Sequence, residues 1–477
     1  MNYKAYNDKF TLSGKYHDAF QGCIRIVPFI TNASQSIYDK TCGVIGVTGE
    51  FFRLWQGSEE FVQNVNQDVV EPVKIYLKEK MDVDSISKIE PIVLDIMNIN
   101  DSFNVVDTSF FKYVPVATSS EQGKRLNQKF QRGQRRIAEY IYSMVGADLQ
   151  TKEHPFKESD NLFCRIIHEA LENKAIPLSR TKDNSVEYYI LPQIKEQFNR
   201  DFIWLLKHRN NVTVRYIPLL LHFYACFSMM QIIPRLDFKN QELWKTDEPL
   251  VYYYMLASEH ATARSEAVLQ GWSQYMKEDD LDLIFGRIQC LDILNILLDG
   301  PVGLYSDLLA RLAQQDNFKE EKDALEELLA KYQTQKREAL DSRQNAKNSL
   351  AKELVDPHID SYEEFVRKLY YLCTNNHPAE YKTRFRRSLL DLMRVKLLEN
   401  RRGYWVLTLD DEMLLFMIAL VTKERRVKID EMYRKFADYG ICFNMATRSL
   451  IEKYLLKLNL LDRKSDSGEA QYVKVFL

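Results

Sequence analysis

The chain has 477 residues, more than one hydrophobic core usually organises, so we expect two to four domains. Its 45% hydrophobic and 28% charged residues are typical of a soluble globular protein, and 16 glycines with 13 prolines are too few for a loop-rich β-sandwich. The net charge of −2 excludes a strong global attraction to nucleic acid, so such a contact would need local basic patches.

The cysteines and the N-terminus indicate a cytoplasmic protein with reduced thiols. The seven cysteines are scattered and form no C-x-x-C, so neither a disulfide framework nor a zinc site is indicated. The first ten residues lack the apolar run of a signal peptide. Residues 216–234 are apolar but include His222, Ser228 and Gln231, so we expect a buried core helix and no membrane span.

Periodicity divides the first 300 residues into two regions. Residues 1–118 predict a mixed α/β region, with β-prone runs at 23–30, 41–47 and 89–116 and a helical pattern at 61–80. Residues 119–300 predict a helical, aromatic-rich domain with a candidate strand at 187–191. The helices predicted in this domain cover residues 122–145, 162–173, 194–207, 217–233, 249–277 and 281–298.

A long helical connector is predicted for residues 301–356. The break signal Asp299-Gly300-Pro301-Val302-Gly303 precedes it, and Asp356-Pro357 ends it. Its apolar stripe fades between residues 331 and 348, which is typical of a helix that is exposed on all sides and joins domains.

Residues 357–477 predict a basic helix followed by a winged helix. After Thr408 as N-cap, the pattern gives a helix, a short strand at 425–429, a helix at 430–439, a helix from Asn444, and two β-prone runs at 460–464 and 471–476. This order is that of a winged helix, whose third helix enters the major groove of DNA. We therefore predict a mainly α, multi-domain protein with a small mixed α/β N-terminal region, a helical middle, a long polar helix and a C-terminal winged helix.

Basic residues concentrate near this last region. Residues 381–402 hold eight basic and two acidic side chains, and we expect Arg386, Arg387, Arg394 and Arg401 to face solvent and neutralise DNA phosphates. The alternative, a solvated helix face with local ion pairs, stays open. The predicted DNA-binding residues are Arg384, Arg386, Arg387, Arg394, Arg401, Arg425, Arg426, Lys428, Arg448, Lys453, Arg463 and Lys464.

The sequence predicts no catalytic centre, cofactor or metal. The spaced glycines of residues 43–49 are not followed by the Lys-Ser/Thr of a phosphate-binding loop. Cys373 and His377 lack a second pair of ligands. Glu187 and Lys195 could be fitted to a nuclease pattern, but such spacings arise by chance in a chain this charged.

The last 40 residues resemble a known family. Gly440-Ile441-Cys442-Phe443, Leu458-Asn459-Leu460-Leu461 and the run SDSGEAQYV at residues 465–473 are similar to the end of the DptG family. Its members are DNA phosphorothioation-dependent restriction proteins of bacterial Dnd-type defence systems. The resemblance implies an accessory subunit of a complex that attacks unmodified DNA, with ATPase and DNA-processing activity in DptF-like and DptH-like partners. It implies no catalytic residues.

Three functions follow as hypotheses. The first is a non-catalytic, DNA-engaging adaptor of such an anti-phage restriction complex, with double-stranded DNA and the two ATPase subunits as partners. The second is a sequence-specific winged-helix regulator or replication initiator, in which Arg448 and Lys453 would read bases. The third is a kleisin-like structural bridge whose winged helix binds protein, and the polar helix at residues 323–348 favours it.

Overall fold

The computed structural model is mainly helical with small mixed sheets, in agreement with the predicted fold class at this level. The structure describes residues 1–9, 26–29, 44–55, 70–99, 102–103, 105, 107–114, 124–146, 162–172, 188–207, 211–341, 354–375, 379–463 and 471–476. Most buried apolar side chains in these ranges belong to one continuous core that runs from Tyr6 to Val473.

The described part of the first 118 residues is mostly helical, and two of its helices lie where the sequence predicts strands, whereas the helix at Val70–Lys80 lies within the predicted helical range 61–80. The helices are α1 (Tyr3–Lys9), α2 (Ile45–Trp55), α3 (Val70–Lys80) and α4 (Val83–Met97). The predicted strand 41–47 is wrong from Ile45 onward, and the β-prone region 89–116 begins inside α4. In α2, Phe51 and Trp55 lie one helical turn apart and both pack against Phe202, so burial of one helix face outweighs β propensity.

Strands in this region are short. β1 (Asn98–Ile99) pairs with β2 (Ser102–Phe103), and a 3-10 helix spans Thr108–Tyr113. Residues 26–29, the described part of the predicted strand 23–30, lie buried as a bend rather than as a strand.

In the helical middle, the strand predicted at 187–191 is, among its described residues, only a single bridge at Tyr188.

Five of the six helices predicted in the helical middle are present in the structure. The helices α5 (Lys124–Tyr142), α6 (Leu162–Glu172), α7 (Pro192–Lys207) and α8 (Asn211–Ile232) confirm four of them. By length and composition, Val214–Leu236 could cross a membrane, but its apolar window is completely buried inside the protein. That burial is expected of a core helix in a soluble protein.

The helix predicted at residues 249–277 is wrong. Its first part is the strand β3 (Tyr252–Leu256), which is followed by the short helix α9 (Glu266–Leu269), a 3-10 turn at Trp272–Gln274 and α10 (Glu278–Leu281). β3 lies parallel to both β5 (Tyr404–Leu409) and β7 (Ile441–Cys442), and β4 (Leu398–Arg401) lies antiparallel to β5. Backbone pairing on both sides thus selects a strand for this tyrosine-rich segment.

The described part of the predicted connector contains two helices separated by a break. After α11 (Ile284–Leu298), the chain forms α12 (Tyr305–Ala313), α13 (Phe318–Asp341) and α14 (Tyr362–Asn375). α13 packs against α14 and buries Leu325, Leu328, Leu329 and Tyr332. The described part of the predicted polar helix therefore has a core face. Lys336 is also buried there, with its ammonium 5.4 Å from the centre of the Tyr332 ring.

The C-terminal part begins with α15 (Ala379–Met393) and the β4–β5 hairpin. The remaining elements, here called the C-terminal unit, are α16 (Asp411–Thr422), β6 (Val427–Lys428), α17 (Ile429–Ala437), β7, α18 (Met445–Lys457), β8 (Leu461–Arg463) and β9 (Gln471–Val473). Strands β6, β9 and β8 form an antiparallel sheet in that order.

The start of α16 differs from the sequence prediction. Its N-cap is Asp410, whose carboxylate accepts a hydrogen bond from the Met413 N–H at 2.7 Å. The predicted cap, Thr408, lies inside β5 opposite Met255. Thr408 is therefore fixed by sheet pairing.

Candidate nucleic-acid interface

The predicted basic helix supplies fewer solvent-facing arginines than expected. The helix α15 ends at Met393, so Arg401 lies on β4 instead. The Arg401 side chain is 15% exposed, pairs with Glu399 at 2.8 Å and donates to the Ala257 and Glu259 carbonyls. The prediction that Arg401 faces solvent is wrong, because its guanidinium ties the hairpin to the segment after β3.

Arg386 is also held by the protein. Its side chain is 25% exposed and its guanidinium lies 3.4 Å from carboxylate oxygens of Glu278 and Asp282. These two acids lie at the two ends of the helix α10, so they join α10 to α15 and lower the net charge of this face. The prediction that Arg386 is largely solvent-facing is therefore wrong, because two carboxylates at the surface cover its guanidinium.

Other arginines on and just after α15 remain at the surface. Arg387 is exposed and Arg384 is half-buried. Arg394 is exposed, with its guanidinium 5.6 Å from the centre of the Trp405 ring and 3.9 Å from the Asp391 carboxylate. This surface therefore presents Arg387 on α15 and, just after the helix, Arg394 beside Trp405.

The sheet of the C-terminal unit has a basic outer face. Its register places Val427, Val473 and Leu461 side by side in the core. By strand alternation, the neighbouring positions point outward, and they are Arg426, Lys428, Tyr472, Lys474 and Asp462. Arg426 and Lys474 approach the Asp462 carboxylate at 3.4 and 2.9 Å, which supports this placement. Three cations thus share this face with one carboxylate.

The turn before β6 adds a further cation. The Arg425 side chain is 71% exposed, and its guanidinium contacts Glu431 at 2.8 Å. Arg425, Arg426 and Lys428 lie on the same short segment, and all three are exposed. This segment is the densest exposed group among the predicted DNA-binding residues that the structure describes.

Two of the predicted DNA-binding residues, Arg448 and Lys453, lie on α18 in different surroundings. The Arg448 guanidinium lies 4.7 Å from the centre of the Tyr433 ring, and its Nε donates to the Phe443 carbonyl at 3.0 Å. Lys453 is exposed on the outer face of α18. The Arg463 side chain and all of Lys464 lie outside the described residues.

Two glutamates lie at the N-terminal end of α18. The Thr447 hydroxyl donates to Glu259 at 3.0 Å, and the side-chain amide of the N-cap residue Asn444 donates to Glu266 at 2.9 Å. The Asn444 hydrogen bond is the main reason why the pKa of Glu266 lies below its ordinary value. The positive end of the helix therefore faces carboxylates of the chain itself.

Some basic residues of this surface lie outside the predicted set. Lys457 is exposed one turn after Lys453, and Arg402 forms the tip of the β4–β5 hairpin with φ +52° beside Gly403 at φ +89°. Arg402-Gly403 between two β-prone runs is a two-residue turn signal that the sequence already contains. Lys474 required the strand register before its side could be assigned.

A cleft between the C-terminal unit and the helical middle is a second candidate site. Its volume is about 430 Å³, and its walls come from α7, α8, α16 and α17. At its floor, the buried Asp201 carboxylate accepts from the hydroxyls of Tyr224 at 2.6 Å and Tyr439 at 2.9 Å and pairs with Lys423 at 2.8 Å. Burial first, and then Asp201, hold the pKa of both tyrosines well above the ordinary value.

This cleft joins two parts of the fold and shows no metal constellation. Asp201 belongs to α7 and Tyr439 follows α17, so the hydrogen bonds connect elements 238 residues apart. Within the described ranges, no group of three histidine, cysteine or carboxylate side chains could hold a metal ion.

Neither a known protein family nor a curated protein sequence matches this chain.

Proposed function

We propose that the chain is a DNA-engaging, non-catalytic adaptor and that its C-terminal unit is a winged helix. Three helices alternate with short strands in the order of that fold, and the sheet order β6-β9-β8 puts the first strand beside the last. The segment between β8 and β9, where that fold has its wing, lies outside the described residues.

The basic outer face of this sheet is the observation that carries the proposal. Arg425, Arg426 and Lys428 present three guanidinium or ammonium groups within four residues, and Lys474 adds a fourth from the neighbouring strand. Glu431 and Asp462 pair with three of these four cations, so the face keeps an excess of positive charge. Phosphate contacts of this kind bind any duplex, because the DNA backbone carries no sequence information. The engagement of Arg448 with Tyr433 and Phe443 also favours backbone contacts over base reading by that arginine.

The biological setting follows from the resemblance near the C-terminus. Residues 440–443, 458–461 and 465–473 are similar to the DptG family, so we place the chain in a phosphorothioation-dependent restriction complex against phage. DptF-like and DptH-like ATPases would supply the energy-dependent steps on unmodified double-stranded DNA. The site of action would be the cytoplasm, where host and phage DNA meet.

Charge reversal on the sheet tests the DNA contact. The variant R425E/R426E/K428E should bind a fluorescent 30-bp duplex at least tenfold more weakly than the native chain, because repulsion replaces phosphate neutralisation. The slope of log Kd against log salt should fall by about one for each phosphate that the variant no longer neutralises. Fluorescence anisotropy at several salt concentrations measures both quantities.

A matched variant controls for net charge. K78E/K80E/K88E changes three exposed lysines of α3 and α4 by the same total charge, and it should retain duplex affinity. Equal affinity of the native chain and R425E/R426E/K428E would rule out this sheet as a DNA surface. Competition with unrelated duplexes should be equal for an adaptor, whereas strong preference for one sequence would favour the regulator hypothesis.

A further inference from the structure

The helix α18 exposes an unusual share of apolar surface. Among the exposed large apolar side chains of the described residues, Met445 at 78%, Leu450 and Leu456 at 38% each and Leu458 at 41% lie within one stretch of the C-terminal unit. Helical periodicity in the sequence predicts a buried stripe of Leu450, Ile451, Tyr454, Leu455 and Leu458. The structure buries Ile451 and Leu455 as predicted but exposes Leu450 and Leu458. The exposed leucines therefore belong to a second face of the helix.

This second face combines apolar and basic side chains. Its exposed positions are Met445, Ala446, Ser449, Leu450, Lys453, Leu456 and Lys457. At about 100° per residue, they span an arc of roughly 140° with Lys453 near its centre. No acidic residue is among the exposed positions of α18, which is described in full, and Glu452 is half-buried at the edge of the arc.

We propose that this face docks an acidic amphipathic helix of a partner protein. The proposal deepens the adaptor function, and it names the surface by which the adaptor would hold its protein partner. Carboxylates of such a helix would pair with Lys453 and Lys457, while its apolar side chains would cover Met445, Leu450 and Leu456. Burial of these side chains supplies the driving force, and the lysines supply orientation and selectivity.

The same face suits DNA poorly, for two physical reasons. The N-terminal end of α18, which winged helices insert into the major groove, faces Glu259 and Glu266, and these carboxylates repel phosphates. In addition, the major groove offers only thymine methyl groups to apolar side chains. Protein docking on α18 and phosphate binding on the sheet can therefore coexist on one unit.

A designed peptide tests the proposal with the full-length chain. The probe is a fluorescein-labelled helical peptide of about six turns with leucine at the a and d positions and glutamate at most others. Anisotropy should show saturable binding, whereas a scrambled peptide of equal composition and a peptide with lysine for glutamate should bind at least tenfold more weakly. No binding of the glutamate peptide would overturn the proposal.

Two double variants assign the binding to α18. M445D/L456D should weaken binding of the glutamate peptide at least tenfold. K453E/K457E should reverse the preference between the two peptides, so that the lysine peptide binds more tightly than the glutamate peptide. Both pairs are exposed, so circular dichroism and the melting temperature should stay unchanged. Peptide binding that is unaffected by both variants would contradict the proposal.

Additional measurements distinguish a partner helix on α18 from DNA or a second copy of the chain. They also distinguish this proposal from the DNA-binding proposal. Loss of duplex affinity in M445D/L456D would assign the face to DNA, and a dimer that this variant dissociates would assign it to a second copy. Either result overturns docking of a partner helix. R425E/R426E/K428E should leave peptide binding unchanged, so failure of DNA binding and failure of α18 docking are distinguishable.

Discussion

At the scale of single residues, His222 is the clearest titratable group of the core. It lies on α8 and is buried, and its Nδ1 has no hydrogen-bond partner among the described residues. Its Nε2 lies 3.7 Å from the Cys226 sulfur. Burial, with a smaller contribution from the charge of Lys396, lowers the pKa of His222 to about 3, so the imidazole stays neutral in the folded protein at neutral pH.

This histidine predicts acid sensitivity. Between pH 6.5 and about 3, His222 binds a proton in the unfolded chain but not in the folded chain. Unfolding therefore becomes more favourable as the pH falls. The contribution is fully present above pH 6.5, and it is lost at about 1.4 kcal/mol per pH unit below that value. His222→Leu should remove this part of the slope when urea unfolding is measured at pH 7 and pH 5.

The exposed His260 provides the control for that experiment. His260→Gln should leave the difference in unfolding free energy between pH 7 and pH 5 as it is in the native chain. If His222→Leu keeps the native pH dependence, then burial of His222 does not cause it.

At the scale of elements, a close backbone approach fixes the exit from α17. Gly440 has φ +68°, and a Cβ there would lie 2.8 Å from the Leu250 carbonyl oxygen and 2.9 Å from the Phe227 ring. Its own carbonyl accepts a hydrogen bond from the Tyr252 N–H at 3.0 Å, directly before β7 pairs with β3. The glycine therefore lets α17, β7 and β3 meet.

Alanine substitutions at two glycines with positive φ distinguish backbone strain from steric crowding of the added Cβ. Gly440→Ala should destabilise the protein by at least about 3 kcal/mol, because left-handed strain and overpacking add. Gly403→Ala should cost only about 1 kcal/mol, since Gly403 has φ +89° but no atom within 4 Å of the added Cβ. Urea denaturation of both variants measures the difference, and equal costs would show that strain alone matters at Gly440.

The helices and strands also show which secondary structure the local sequence pattern can predict. Helices α5 to α7 agree with their predicted ranges because each buries a helical stripe that is visible in the sequence alone. The helix α8 is buried on nearly all sides, and the length of its apolar run is what predicts a helix there. The segment at β3 has an equally apolar run, Val251 to Tyr254, which is compatible with helix or strand. Its partners lie about 150 and 190 residues later in the chain, so no local pattern could select the strand.

At the scale of the whole molecule, the C-terminal unit is attached to the helical middle at several points. β7 pairs with β3, the Tyr439 hydroxyl donates to Asp201 on α7 at 2.9 Å, and Tyr216 of α8 packs against Phe416 of α16 with ring centres 5.2 Å apart. These contacts belong to the one continuous core.

This attachment predicts that residues 357–477, expected from sequence as a domain, do not fold alone. Without β3 the strands β5 and β7 lose a partner, and Phe416 and Tyr439 become exposed to water. The isolated fragment should lack a cooperative thermal transition by circular dichroism, whereas a fragment of residues 188–477 should melt cooperatively. A sharp transition in the shorter fragment would show that the C-terminal unit is autonomous.

The sequence by itself determined the mainly helical character, most helices of the middle, and the order of elements from α16 to β9 except β7, because periodicity, caps and turns are local. It also located the basic segment Arg425 to Lys428. Only the tertiary structure decided that Arg386 is held by carboxylates of another element and Arg401 by carbonyls after β3, and that α18 exposes leucines. Exposure and pairing depend on which distant elements meet, and for Arg401 the meeting residues lie about 140 positions earlier in the chain.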